Sequence, residues 1–244
     1  MVNSQVFDFI DKNKDSFLAG LKELVRIESV STQPAYQKDI LKCAELEVLK
    51  FKQIGLENAR LLETKGNPLV YGDWLHAAGK PTLLIYGHYD VQPPDPMDQW
   101  KTPPFEPTVR NGNLYGRGTT DNKAQHFSHL CAIEAYLKTV KKLPVNVKMV
   151  LEGEEEIGSG SISEFVAKNP KIFSCNAVLI SDMPWFDFEH PSMAYALKGL
   201  IYFEIKVRGP SHDLHSGLFG GMVRNPAQVL SWMLAKLKDE MRKF

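Results

Sequence analysis

The sequence predicts an α/β fold with a mostly parallel sheet over residues 1–192, and two observations carry that reading. Apolar or β-branched runs begin near residues 82, 145 and 177, each of strand length, and amphipathic stretches of helical period lie before and between them. Each run also ends in polar residues: His88 and Asp90, then Glu152 to Glu156, then Ser181 and Asp182. Open α/β sheets place their sites at the carboxyl ends of strands.

Taken in order, Ser4 to Ile27 carries Phe9, Phe17, Leu21, Leu24 and Val25 near helical spacing, and Lys38 to Ile54 repeats the pattern, so both predict amphipathic helices. Ile27 to Ser31 reads as a short polar turn, and Gln33-Pro34 favours an extended backbone. Short strands are expected over Ala59 to Leu62 and Leu69 to Leu75, with turns at Gly66-Asn67-Pro68 and Gly79-Lys80-Pro81 before the strand Thr82 to Gly87. The Pro-rich segment from Pro93 to Pro107 reads equally as a rigid wall or an ordinary surface loop. Gly116 and Gly118 permit a tight path into a helix reaching about Val140, where Asp121 is either a helix cap or a functional carboxylate. His126 and His129 on that helix are expected on a solvated face, since no acidic neighbour accompanies them. Strands follow over Val145 to Leu151 and Ala177 to Ile180. Beyond Met193 an alternating strand is expected over Tyr202 to Val207, and a helix from about Asn225 to Phe244.

Bulk properties narrow the class of partner. The 244 residues are 43% hydrophobic and 24% charged, and no apolar run approaches the roughly 20 residues that span a bilayer. Lys plus Arg equals Asp plus Glu at 29 each, so no global field favours nucleic acid or a membrane surface, and small molecules are the expected partners. The N-terminus lacks the pattern of a secretion signal, and Cys43, Cys131 and Cys175 are odd in number and widely spaced. Reduced thiols and a cytoplasmic location are the expectation.

The polar strand ends suggest a metal site. His88 and Asp90, two apart on a strand, leave the same face, so the carboxylate can fix the imidazole while its other nitrogen binds a metal. Glu152, Glu154, Glu155 and Glu156 repel one another unless a cation holds them. Together with Asp121 and Asp182 they give one His and several carboxylates without Cys, a set that suits Zn, Mn or Co bound as a carboxylate-bridged pair. Such a pair activates a water for hydrolysis, and a carboxylate that is not a ligand takes its proton.

Gly87 to Pro93, Tyr115 to Lys123, Glu152 to Ser159, Ser181-Asp182 and Asp213 to Gly217 resemble, in order and spacing, the signatures of carnosinase-like dipeptidases. These belong to the co-catalytic zinc peptidases, with aminoacylases, deacylases and glutamate carboxypeptidases. The resemblance implies that His88, Asp182 and Glu156 are metal ligands, Asp121 the bridging carboxylate, Asp90 the residue that orients His88, and Glu155 the general base. It implies a cis peptide at Asp121-Asn122 and a His215 that stabilises the oxyanion from a lid domain. Glu152 and Glu154 receive no role, and a solvated or structural one is expected. Two divalent ions are implied, zinc first and manganese or cobalt as alternatives. The implied substrate is a dipeptide, with an N-acyl amino acid as alternative. Residues 1–192 would be the catalytic domain and 193–244 the start of an α+β lid through which the complete protein forms a homodimer. The family's final His ligand has no match here, so the 244-residue chain is expected to be a poor hydrolase, or an inactive fragment or split-gene product.

Overall fold

The N-terminal stretch folds as two helices, α1 (Ser4–Lys12) and α2 (Lys14–Val25), where the periodicity predicts one. The break falls at Asn13, whose side-chain amide donates back to the Phe9 carbonyl at 2.7 Å, the local competition by which short polar side chains interrupt helices. Helix α3 (Gln37–Ile54) ends at Gly55, whose φ of 101° turns the chain so that the Leu56 amide reaches the Phe51 carbonyl at 3.0 Å. The computed structural model describes residues 4–187, 189–190 and 192–237, which divide into two compact units, Met1–Pro191 and Ser192–Phe244.

Strands β1 (Glu57–Leu62), β2 (Leu69–Trp74) and β3 (Thr82–His88) follow. Next comes a small hairpin, β4 (Thr108–Arg110) and β5 (Asn113–Tyr115), which the sequence reading passed over. Its turn is Asn111-Gly112, both at positive φ, the pairing that two-residue hairpins favour. Helix α4 (Lys123–Thr139), strand β6 (Asn146–Glu152), helices α5 (Ile162–Lys168) and α6 (Pro170–Phe173) and strand β7 (Ala177–Ile180) complete the first unit. The central sheet has the order β1-β2-β6-β3-β7. Strands β6, β3 and β7 are mutually parallel, and β2 runs antiparallel to both of its neighbours. Four of the five strands therefore share one direction, and the reversal of β2 makes the sheet mixed.

Alternation along the strands sends side chains to two layers. Val147, Met149 and Leu151 of β6 and Ile85 of β3 pack with Ile40, Ala44, Val48 and Phe51 of α3 and Leu130 and Ile133 of α4. Val150 and Leu84, one position out of phase, pack on the opposite face against Phe165 of α5 and Ile172 of α6. Full burial of a side chain of this size stabilises by about 1.5–3 kcal/mol, so the two layers hold the parallel strands in register. The polar strand ends inherit that rigidity.

The second unit holds α7 (Ser216–Phe219) and α8 (Pro226–Ala235). Asn225 caps α8, its Oδ1 accepting from the Ala227 amide at 2.9 Å, with Pro226 in the first turn. Residues 202–207 form no strand, contrary to the alternation, because no other strand lies beside them among the described residues. The expected helix is observed to Ala235, and its continuation over 238–244 lies outside the described residues. No helix among the described residues is long and apolar enough to cross a membrane.

Candidate metal centre

His88 is the last residue of β3 and is fully buried. Its Nδ1 lies 3.0 Å from the Asp90 carbonyl oxygen, which leaves Nε2 facing outward. Nε2 is 3.0 Å from Asp121 Oδ1, 3.7 Å from Asp182 Oδ2 and 3.9 Å from Glu155 Oε2. Among the described residues two triads of metal-ligating atoms, each within 4.8 Å, result: His88 with Glu155 and Glu156, and His88 with Asp121 and Asp182. His88 is common to both. Side chains from the end of β3, the approach to α4, the turn after β6 and the end of β7 thus meet at one place.

Asp90 does more than the sequence reading asked of it. It is fully buried, and its Oδ1 lies 3.4 Å from His88 Nδ1. The same carboxylate accepts from Ser31 Oγ at 2.6 Å and from the backbone amides of Glu155 and Glu156 at 3.3 and 3.1 Å. One buried carboxylate therefore steadies the imidazole and anchors the acidic turn. Ser31 arrives because the expected turn over residues 27–31, closed by the Ser29 and Val30 amides on the Ile27 and Glu28 carbonyls at 2.9 and 2.8 Å, is pinned to the strand end: Val30 bridges Val91 in parallel, and the Val91 amide donates to Ser29 O at 2.9 Å.

The four neighbouring glutamates are separated by their surroundings. Glu152, beside His88 in the β3–β6 register, is almost fully buried and accepts from the Tyr86 hydroxyl and from Ser159 Oγ at 2.9 Å. Glu154 accepts from the amides of Asn67 at 3.1 Å and Ser161 at 3.0 Å. Both carboxylates are thus engaged by neighbouring donors. Gln92 Nε2 donates to Glu156 Oε2 at 2.8 Å. The carboxylate of Glu155 accepts no hydrogen bond among the described residues, and its nearest ionic neighbour is His88.

The electrostatics favour a cation. Burial works against an imidazolium, but the carboxylates of Asp182 and Asp90 outweigh it and carry His88 up to about 11. The neighbouring imidazole of His88, 3.7 Å away, holds Asp182 below the usual carboxylate range. Burial pushes Glu155 and Glu156 upward, and Glu155 is raised further by Glu156 and Asp182, Glu156 by Asp121. One imidazole cannot neutralise this many carboxylates, and a set of one nitrogen and several oxygen donors fits divalent ions that accept both.

Asp121 is not the cap of α4: Asn122 occupies that position, and Asp121 turns to His88. The Asp121–Asn122 peptide bond is cis, as the resemblance implies. His126 and His129 do not lie on a solvated face. His126 is buried with Nε2 2.8 Å from Glu47 Oε1, and His129 Nε2 is 2.8 Å from Ser181 Oγ. The acidic partner of His126 comes from α3, so no nearby residue could announce it. Lys123 was also missed. It is fully buried, and its ammonium donates to the carbonyls of Leu24 at 3.0 Å and Ile27 at 2.8 Å, where the C-terminus of α2 favours a cation. His215 belongs to the second unit, where its Nδ1 accepts from the Gly217 amide at 3.0 Å.

Comparison with known proteins gives a consistent answer. The family model described as "Peptidase family M20/M25/M40" matches residues 84–201. The Cys-Gly metallodipeptidase of Schizosaccharomyces pombe is 37% identical over 245 residues, covering 96% of this chain and 52% of that protein. The Beta-Ala-His dipeptidase of Mus musculus is 34% identical over 249 residues, covering 96% of this chain and 51% of that protein. Among solved structures, human carnosine dipeptidase 1 superposes with a TM-score of 0.75 at 30% identity, covering 97% of this chain and 52% of that one. The chain spans about half the length of the curated relatives it matches.

Proposed function

Because the chain belongs to peptidase family M20/M25/M40, we propose that it forms the metal-binding and proton-transfer face of a hydrolase that cleaves the peptide bond of dipeptides with two divalent ions. The convergence of His88, Asp121, Asp182, Glu155 and Glu156 carries this reading. His88, Asp182 and Glu156 would hold the ions, with Asp121 as the carboxylate shared between them. Zinc is the first choice and manganese or cobalt the alternatives. That role would suit Asp121, whose carboxylate lies 3.0 Å from His88 Nε2 and within the electrostatic reach of Glu156. Such ions, when bound, polarise the scissile carbonyl and make a bound water nucleophilic near neutral pH.

The chain's own residues divide the remaining work. Glu155 is the general base: it takes the proton of the attacking water at Oε2 and passes it to the departing amine nitrogen. A carboxylate free of hydrogen bonds is available for that transfer, which its three bonded neighbours are not. Asp90 keeps His88 and the Glu155–Glu156 backbone in place. His215, on the lid unit of residues 193–244 that would also carry the homodimer contact, would be the donor to the developing oxyanion, as the resemblance implies. Dipeptides are favoured over N-acyl amino acids, since the relatives compared are named for dipeptides. Three free cysteines support a reducing, cytoplasmic setting.

The test is metal analysis of the purified protein together with hydrolysis of Cys-Gly, β-Ala-His and an N-acetyl amino acid. We expect bound divalent metal that His88→Ala loses, and only weak turnover by the 244-residue chain, chelator-sensitive and faster on the dipeptides where it is seen. Metal content unchanged by His88→Ala would sink the reading.

A further inference from the structure

We propose that Asn122 is a positioning residue that fixes how Asp182 presents its carboxylate, an inference that rests on the metal-centre reading. The pairing of β3 with β7 runs from Leu83↔Ala177 to Tyr86↔Ile180 and then stops. Past that point the two strands carry the residues that matter, His88 on one and Asp182 on the other. The side chain of Asn122, 1% exposed, occupies the gap in place of the missing rungs. Its Oδ1 accepts from the His88 backbone amide at 3.2 Å, and its Nδ2 donates to the Ser181 carbonyl at 2.8 Å and to Asp182 Oδ1 at 3.0 Å.

The amide's orientation follows from its partners. A backbone N–H only donates, and a carbonyl and a carboxylate only accept, so a flipped amide would lose every bond. The carboxylate of Asp182 is thereby divided. Oδ1 is engaged by Asn122, and Oδ2 is left 3.7 Å from His88 Nε2, facing the cluster. Asp182 consequently offers a metal one oxygen, and the amide inserted between the strand ends sets the spacing at which His88 and Asp182 stand.

Gly87 belongs to the same device. A Cβ there would lie 2.6 Å from Asn122 Oδ1 and 3.0 Å from His126 Cβ, so only glycine lets the amide seat against β3. Gly87→Ala should push the amide from its seat while leaving residue 122 an asparagine, whereas Asn122→Leu keeps a similar volume and removes both the donors and the acceptor.

Both variants and the parent are titrated with Zn(II) and Co(II) against a chromophoric chelator, with the cobalt visible spectrum recorded and folding followed by circular dichroism. We expect folded variants whose affinity at one position falls about 10- to 100-fold, with altered cobalt bands. The double variant should lose less than the sum of the two, because both act on one amide. If the parent binds metal and both variants match its affinity and spectrum, the assignment to Asn122 is wrong while the metal centre stands. A parent that binds no metal overturns the metal-centre reading itself. If neither variant folds, the amide is a general folding determinant and the positioning role is withdrawn.

Discussion

Strand β3 is hydrogen-bonded along both edges, to β6 and to β7, and its last residue is fully buried. Residues 202–207 of the second unit have a comparable apolar alternation and no strand beside them among the described residues, with Tyr202 88% exposed. Each strand needs an edge to pair with before its side-chain pattern has any consequence. Where the edges exist, the backbone is rigid enough to hold an imidazole among carboxylates that repel each other. Where they do not, alternation is only composition.

The comparison makes its largest claim at the strand ends. Replacing Glu155 with Gln keeps the side chain's shape and removes its basicity, so turnover in the active protein should fall about 100- to 10,000-fold with metal content unchanged. Loss of metal together with activity would make Glu155 a ligand and would merge two roles that its surroundings separate.

A smaller effect separates the two segments directly. Met149, fully buried at the centre of β6, should cost about 2–5 kcal/mol when cut to Ala, read as a lower urea midpoint. Tyr202→Ala should change the stability read from that midpoint by no more than about 0.5 kcal/mol. A large loss from Tyr202 would mean that its segment has a partner, and the contrast drawn above would fail.

The smallest expected effect is a dependence on alkaline pH. Burial pushes the Cys43 thiol from its ordinary 9.0 up to about 11. The unfolded thiol ionises first, so the contribution is fully present below about 9 and is lost as pH rises through about 11. Cys43→Ala should therefore flatten the fall of melting temperature over that range. An unchanged slope would show that the thiol is not held in the dry layer between α3 and the sheet.

Much of the first unit was legible because its signals are local. The helix over Gln37–Ile54, the strands ending at His88 and Glu152, and the strand Ala177–Ile180 follow from periodicity and run length, which any short window reveals. The donor types at His88, Asp121, Glu156 and Asp182 were equally visible, since each stands where an apolar run or a glycine turn ends. Tertiary structure alone decided the partners of the buried polar groups. Glu47 meets His126 across 79 residues, Lys123 finds carbonyls nearly a hundred residues earlier, and Asn122 fills the gap between β3 and β7. The reason is physical. Local pattern sets backbone geometry through short-range sterics and burial, whereas a buried donor or acceptor must be satisfied by whatever element the completed fold lays beside it.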